Sequence, residues 1–399
     1  MSQRPPVTDW SSDFDHLDPR WIKDPYPIWD ELRQKCPVAH TERFSGVYLP
    51  TRYEDIRAVA YDTEHFSSRR TTIREGNAPV VVAAPVNLDP PEHHAARKVL
   101  LPAFTPAAVE KLVSPTREFC RALLRPLAGK ASCDGAVEYA QEVPARVTAL
   151  ILGLSASAGD LFRRWLHEYL VLGVTDAAIL RRVLAEIEAF FDDQIEKRRM
   201  APGDDLVSFL LEARIDDRPL SKQHLIGTLR VLLFAGIDTT WNVIGASLWH
   251  LAAHDDDRRR LVAEPQLIPT AIEEFLRAYA PATLAREIVR DTEIGGRPVK
   301  AGEMVMMAYG AANRDPAAFP DADRVIIDRA DNRHATFGLG IHRCIGSTLA
   351  RMEIRVALEE WLAVFPEFRI AEGAVVEWSA GQLRGPRRLP LTLGKAIAN

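Results

Sequence analysis

The pattern of apolar and polar positions divides this 399-residue chain by texture. Over residues 107–262 apolar side chains recur three and four positions apart, as at Leu206, Phe209, Leu210 and Ala213, the period of helices with one buried face. Within that stretch, residues 221–254 hold no proline and only Gly227, Gly236 and Gly245 as weak breakers. They predict one helix of about 50 Å at about 1.5 Å per residue, long enough to cross a domain. Residues 25–60 read as a short helix through Trp29 and Leu32, followed by strand-like alternation in Gly46-Val47-Tyr48-Leu49-Pro50. After Pro281 the pattern shortens to strand candidates at Glu287-Ile288-Val289, Thr292-Glu293-Ile294 and Val305-Met306-Met307, split by Gly295-Gly296 and Gly302. An irregular stretch at 313–333 leads to a Gly-rich loop. A helix then runs from about 345 to 364, with Leu349, Met352, Val356 and Trp361 as its apolar positions. The fold class expected is mostly α with a minor β region, α+β, in one domain spanning 1–399 with a polar tail over about 1–20.

Composition narrows the class of protein. Lys+Arg 50 against Asp+Glu 55 leaves −5, and 47% hydrophobic with 26% charged residues are ordinary globular values. Disorder is excluded, and the mild negative charge argues against nucleic acid as a partner, since phosphate binding calls for a basic surface. The first 30 residues are polar and Pro-rich where a signal peptide needs an apolar run. The most apolar stretch, 225–237, is short and interrupted by Arg230, so no membrane span is expected. Cys36, Cys120, Cys133 and Cys344 lie far apart with no C-x-x-C pair, which fits a reducing cytoplasm rather than a disulfide framework.

One of these cysteines stands in a chemically distinctive place. Phe337-Gly338-Leu339-Gly340-Ile341-His342-Arg343-Cys344-Ile345-Gly346 puts it where a Gly-rich loop meets a helix. Unpaired N–H groups and a partial positive charge at a helix start favour a thiolate, as nucleophile or metal ligand. Gly340 and Gly346 would let a flat macrocycle approach the backbone. A lone cysteine is more often a small buried hydrophobe. The segment, however, resembles the haem-binding loop of the cytochrome P-450 superfamily at every fixed position of F-G-x-G-x-H-x-C-x-G. A fixed Phe, Gly, Cys, Gly spacing alone would arise by chance in on the order of one chain in a thousand.

Three further constellations carry the resemblance. Ala235-Gly236-Ile237-Asp238-Thr239-Thr240, mid-way along the long predicted helix, resembles the family's oxygen-activation motif. A glycine near a threonine that bonds the carbonyl four residues back invites a widened turn there. Glu274 and Arg277 share a helix face at i, i+3 and resemble the family's E-x-x-R pair, about 70 residues before the cysteine. By position the arginine that joins them would be Arg324, with Arg329 as the fallback. His93, Arg97, Arg286 and His342 resemble the haem-propionate anchors, although His94 allows a register slip of one.

The resemblance implies the fold, a long helix over haem b with a small β portion, and the activity. That activity is a haem-thiolate monooxygenase with O2 as co-substrate, Cys344 as axial iron ligand, Thr239 steadying bound dioxygen and Asp238, with water, supplying protons. Phe337, Gly338, Gly346 and Ala235 would complete the cofactor site. The pocket would draw on Val82, Val86, Leu232, Ala282, Leu284 and Leu383, suited to a small to medium, mainly hydrophobic molecule. No fused reductase segment is expected, so electrons would come from a separate ferredoxin or flavodoxin with its NAD(P)H reductase. Arg343 and Arg351 are candidates for that docking face, and the protein is expected to be a cytoplasmic monomer. Two other readings stand beside this one: a peroxide-driven peroxygenase, against which Asp238-Thr239 argues, and a non-catalytic haem or small-molecule binding protein.

Overall fold

The computed structural model describes residues 4–73, 83–173, 176–379 and 381–397. Its centre is the predicted long helix, which runs unbroken over Lys222–Ala253. Ser221 starts it, the side-chain oxygen accepting a hydrogen bond from the His224 N–H at 3.2 Å. By length and composition this helix could span a bilayer, yet Leu225, Leu229, Leu233, Ile237, Ile244, Leu248 and Leu251 are buried in the core. Helices Glu142–Ile151, Ala177–Met200 and Ser347–Val364 pack around it. Being apolar on nearly every side, it fits a helix enclosed by others better than one lying on a surface.

The β portion is gathered mainly into one five-stranded sheet. Its strands are β1 (Val38–Thr41), β2 (Val47–Pro50), β3 (Phe66–Ser67), β4 (Thr283–Ile288) and β5 (Met304–Ala308), in the order β1-β2-β5-β4-β3. All neighbours are antiparallel except β2 and β5. β4 starts four residues before the predicted Glu287, because Thr283 to Glu287 are all paired with β5. Val289 leaves the ladder, its N–H going to the His65 carbonyl. The Gly295-Gly296 signal is a tight hairpin turn, with both residues at positive φ, joining Thr292–Ile294 to Arg297–Val299.

The front of the chain departs from expectation. Residues 4–20, expected to be part of a polar tail, are folded against the sheet, with Phe14 fully buried and Trp21 just beyond them packed edge-on against Trp29. Arg43 ties the segment down through Asp13 at 2.6 Å and Asp15 at 3.0 Å. A few apolar residues, widely spaced and without helical or strand period, anchor the segment, and periodicity alone cannot register them.

Candidate functional site: a cysteine-centred cavity

A cavity of about 1580 Å³ lies between the central helix and the cysteine loop. The loop is held by its own backbone: the Cys344 N–H donates to the Phe337 carbonyl at 2.7 Å, and helix Ser347–Val364 begins just beyond. Gly338 and Gly340 have φ of 72° and 67°, and a side chain at Gly340 would press into the Ala60 carbonyl. The loop therefore lies flat against its support with Cys344 turned to the cavity. Burial pushes the Cys344 thiol up, while the Gly346 N–H and Arg97, Arg351 and Arg343 pull the other way. Beneath the loop, Arg351 lies over the Phe337 ring at 4.4 Å and pairs through two hydrogen bonds with Glu273, at 2.6 and 2.8 Å. Arg351 is thus fixed in the loop's foundation, and of the two expected docking arginines only Arg343 is free-standing and exposed.

That foundation has a measurable pH signature. Burial raises the Glu273 carboxyl, but Arg351 and His334 outweigh it and hold it at about 2. A carboxyl depressed by folding stabilises the fold fully above its unfolded value near about 4.3 and gives that up as pH falls toward the folded value. Glu273→Gln is expected to cost about 2 kcal/mol at neutral pH and to flatten the loss of thermal stability between about pH 5 and 3. Melting curves across that range check it, and an unchanged slope would show the pair to be inert.

Across the cavity the central helix presents the expected acid and alcohol. The Thr239 hydroxyl donates to the Ala235 carbonyl at 2.6 Å, the bond anticipated from sequence. The widened turn is not formed: the helix continues through Gly236 without interruption, the Thr239 bond being accommodated within regular α geometry. Asp238 is fully buried and held by Arg387 through two contacts, Nη1–Oδ1 at 2.5 Å and Nη2–Oδ2 at 3.0 Å. Arg387, on the short strand Pro386–Arg388, lies over the Trp241 ring at 4.3 Å and lines the same cavity. Sequence reasoning missed it, because the two residues are 149 positions apart and no motif joins them.

A third wall is basic. His93 and Arg97 share one face of helix Glu92–Leu100, and the His93 ring stands 4.2 Å from that of His342. His93 is fully buried with neither ring nitrogen bonded, and His342 Nε2 is likewise buried and unbonded. Arg286 is buried and donates to the adjacent Ala285 carbonyl at 2.8 Å. Burial first, then neighbouring arginines, push His93 down to about 4 and His342 to about 3. Buried donors without acceptors are costly unless an anion completes them. Two carboxylates borne on a flat macrocycle over Cys344 fit this wall, so the residues present are compatible with haem.

Phe337, Gly338, Gly346, Ala235, Val86, Leu232, Ala282, Leu284 and Leu383 all line this cavity too. Val82 lies outside the described residues. At the far end the wall includes His16, Asp18 and Arg20 of the folded N-terminal segment, which sequence reasoning did not place there.

Glu274 and Arg277 are fully buried and joined at 2.7 and 2.8 Å. The third member is Arg329, whose Nε meets Glu274 at 3.0 Å, and not Arg324. Arg324 is exposed and contributes only its carbonyl, which accepts from Arg277 at 2.7 Å. Asp321, at positive φ, begins a run of turns that directs the Arg324 side chain outward and brings Arg329 back. Arg277 also binds the Asn313 and Ala322 carbonyls, both at 2.8 Å. Asn313 in turn donates to Thr336 and accepts from the Ala335 N–H, so the cluster pins the irregular stretch to the base of the cysteine loop.

Helix-dominated architecture, a cysteine loop facing a Thr-bearing central helix, and an anion-seeking wall together define a haem-thiolate class of enzyme. A family model described as cytochrome P-450 matches residues 169–373. The chain is 36% identical over 374 residues to the mycinamicin IV hydroxylase/epoxidase of Micromonospora griseorubida, covering 91% of this chain and 94% of that protein. It is 34% identical over 386 residues to the vitamin D(3) 25-hydroxylase of Pseudonocardia autotrophica, covering 94% and 95%. The structure of the bacillaene polyketide synthase cytochrome P-450 PksS of Bacillus subtilis 168 superposes with a TM-score of 0.89 at 28% identity, covering 96% of this chain and all of that one. The protein belongs to the cytochrome P-450 family. It is a monooxygenase that uses haem b, O2 as co-substrate, a small-molecule substrate and redox partners.

Proposed function

We propose that Cys344 is the axial thiolate of the haem and that His93, Arg97, Arg286 and His342 receive its propionates. The observation that carries this reading is the set of buried, unbonded histidine nitrogens beside two arginines in the cavity that Cys344 faces. When bound, haem b supplies the reduction of dioxygen and the oxidation of a substrate C–H or C=C bond. The chain's own part is to orient substrate, exclude water and move protons. Thr239, its hydroxyl donating to the Ala235 carbonyl, presents its oxygen to the cavity as an acceptor able to hold a proton-carrying water. Asp238, held and aimed by its two contacts with Arg387, is the group that relays protons toward it. Carrying a proton inward requires the carboxylate to loosen one of its two contacts with Arg387.

The substrate is a small to medium, mainly hydrophobic organic molecule. Leu232, Ala282, Leu284 and Leu383 give the cavity apolar walls, and its volume holds the haem as well as the substrate. The relatives named above for mycinamicin IV and vitamin D(3) support an organic small-molecule substrate. Electrons come from a ferredoxin or flavodoxin docking around exposed Arg343, and the protein works as a cytoplasmic monomer.

The reduced protein under carbon monoxide tests the thiolate: a strongly red-shifted Soret band supports it, and a histidine-like band overturns it. Thr239→Ala tests proton delivery. Haem and substrate binding should persist while product per electron falls by about tenfold or more and peroxide appears instead. Equal product per electron would remove Thr239 from that role.

A further inference from the structure

The C-terminal half of the central helix carries a second buried polar assembly that the oxygenation chemistry does not use. His250 is buried, its Nδ1 2.7 Å from the Tyr279 hydroxyl and its Nε2 2.7 Å from Asp257 Oδ2. The Asp257 carboxylate oxygen accepts, so Nε2 bears the ring proton. Nδ1 is then the acceptor and Tyr279 the donor. Burial holds His250 below its ordinary range, which keeps the imidazole neutral and Nδ1 free to take a proton. Asp257 reaches the surface, and His254 stacks on the His250 ring at 4.1 Å.

Tyr279 is also the end of an aromatic series. Trp249 meets it edge-on at 5.6 Å, and Trp378 meets Trp249 edge-on at 5.2 Å. Trp378 lines the cavity that contains Cys344. Trp and Tyr are the side chains that lose one electron most readily, and a phenol does so best when a base takes its proton at once. Tyr309 lines the cavity too, but its hydroxyl has no hydrogen-bond acceptor among the described residues. Among the described residues, only Tyr279 combines contact with a tryptophan series and a bonded base backed by a carboxylate.

We propose that Trp378, Trp249 and Tyr279 form an escape path that drains an unspent oxidising equivalent from the haem cavity and holds it as a Tyr279 radical. The equivalent arises when the monooxygenase consumes dioxygen and donor electrons with no substrate bond to spend them on. One electron passes from the Tyr279 ring through Trp249 and Trp378 to the oxidant in the cavity, which is reduced by one electron. The phenolic O–H bond breaks, and its proton forms an N–H bond at His250 Nδ1, giving an imidazolium that faces the Asp257 carboxylate. A thiol in the medium later returns one electron to the ring, and the proton moves back from Nδ1 to the phenolic oxygen.

The inference rests on Cys344 marking the haem site, which the carbon monoxide spectrum of the same preparations reports separately. Ferric holoenzyme is mixed with a peracid in the absence of substrate, freeze-quenched and examined by electron paramagnetic resonance. Wild type should show a tyrosyl signal. Tyr279→Phe should lose it, and Asp257→Asn, a change at the partly exposed end, should diminish it. Haem bleaching by the peracid should be faster in both variants. A tyrosyl signal of wild-type intensity and an unchanged bleaching rate in Tyr279→Phe would overturn the proposal with the haem assignment intact, whereas a preparation without the thiolate spectrum would overturn both.

Discussion

Cys344→His is expected to abolish the red-shifted Soret band of the reduced, carbon monoxide-bound protein and to reduce monooxygenase turnover to background. Removing an outer-shell partner of a metal costs about 10–100-fold in affinity or activity, and replacing the ligand itself should exceed that. The loop geometry allows the test to be clean. Cys344 faces the cavity while its N–H is committed to Phe337 and the Phe337 ring is clamped by Arg351, so a new side chain at 344 disturbs the metal site before the loop. Histidine keeps a nitrogen able to bind iron but removes the electron donation that favours O–O cleavage. An unchanged spectrum in this variant would mean another residue supplies the thiolate, which is difficult to reconcile with buried Cys120 and Cys133 or with Cys36, none of which lines the cavity.

The second large effect is structural. Glu274→Gln keeps the shape of the side chain but leaves Arg277 and Arg329 buried with one fewer negative charge between them. Breaking a buried ion pair from one side costs about 3–5 kcal/mol, against a total stability of about 5–15 kcal/mol. Yield of folded holoenzyme should fall sharply. What survives should melt lower and lose haem faster, because Glu274 also accepts from the Ile326 N–H and from Asn332 in the segment that supports the cysteine loop. A variant that melts with wild type would place the loop's support elsewhere. Arg324→Ala serves as the internal comparison: its side chain is exposed, so the change should fall within about 0.5 kcal/mol of neutral.

What was legible in the chain was what is local. The long helix was readable to within a residue at each end because apolar density and absence of proline lie within one stretch. The cysteine loop was readable because its glycines, Phe337 and Cys344 sit at fixed short spacings. The Thr239 to Ala235 bond followed from the helix period alone. What escaped was set by distant partners. Nothing near Asp238 points to Arg387, and nothing near Glu274 chooses Arg329 over Arg324, since that choice depends on how the turns after Asp321 fold. The N-terminal segment was misjudged because its burial rests on isolated anchors, Phe14 among them, and on acids that pair with Arg43 across the fold.

The bond between Asp238 and Arg387 has a consequence for anyone who would redesign this enzyme. Leu383, which shapes the substrate wall, and Arg387, which holds the proton-delivering acid, are four residues apart on the turn and short strand near the C-terminus. Substrate preference and coupling efficiency are therefore not separable traits here. A mutation that reshapes that turn to admit a new molecule also re-aims the carboxylate, so libraries directed at this loop should be screened for reductant wasted per product formed as well as for product.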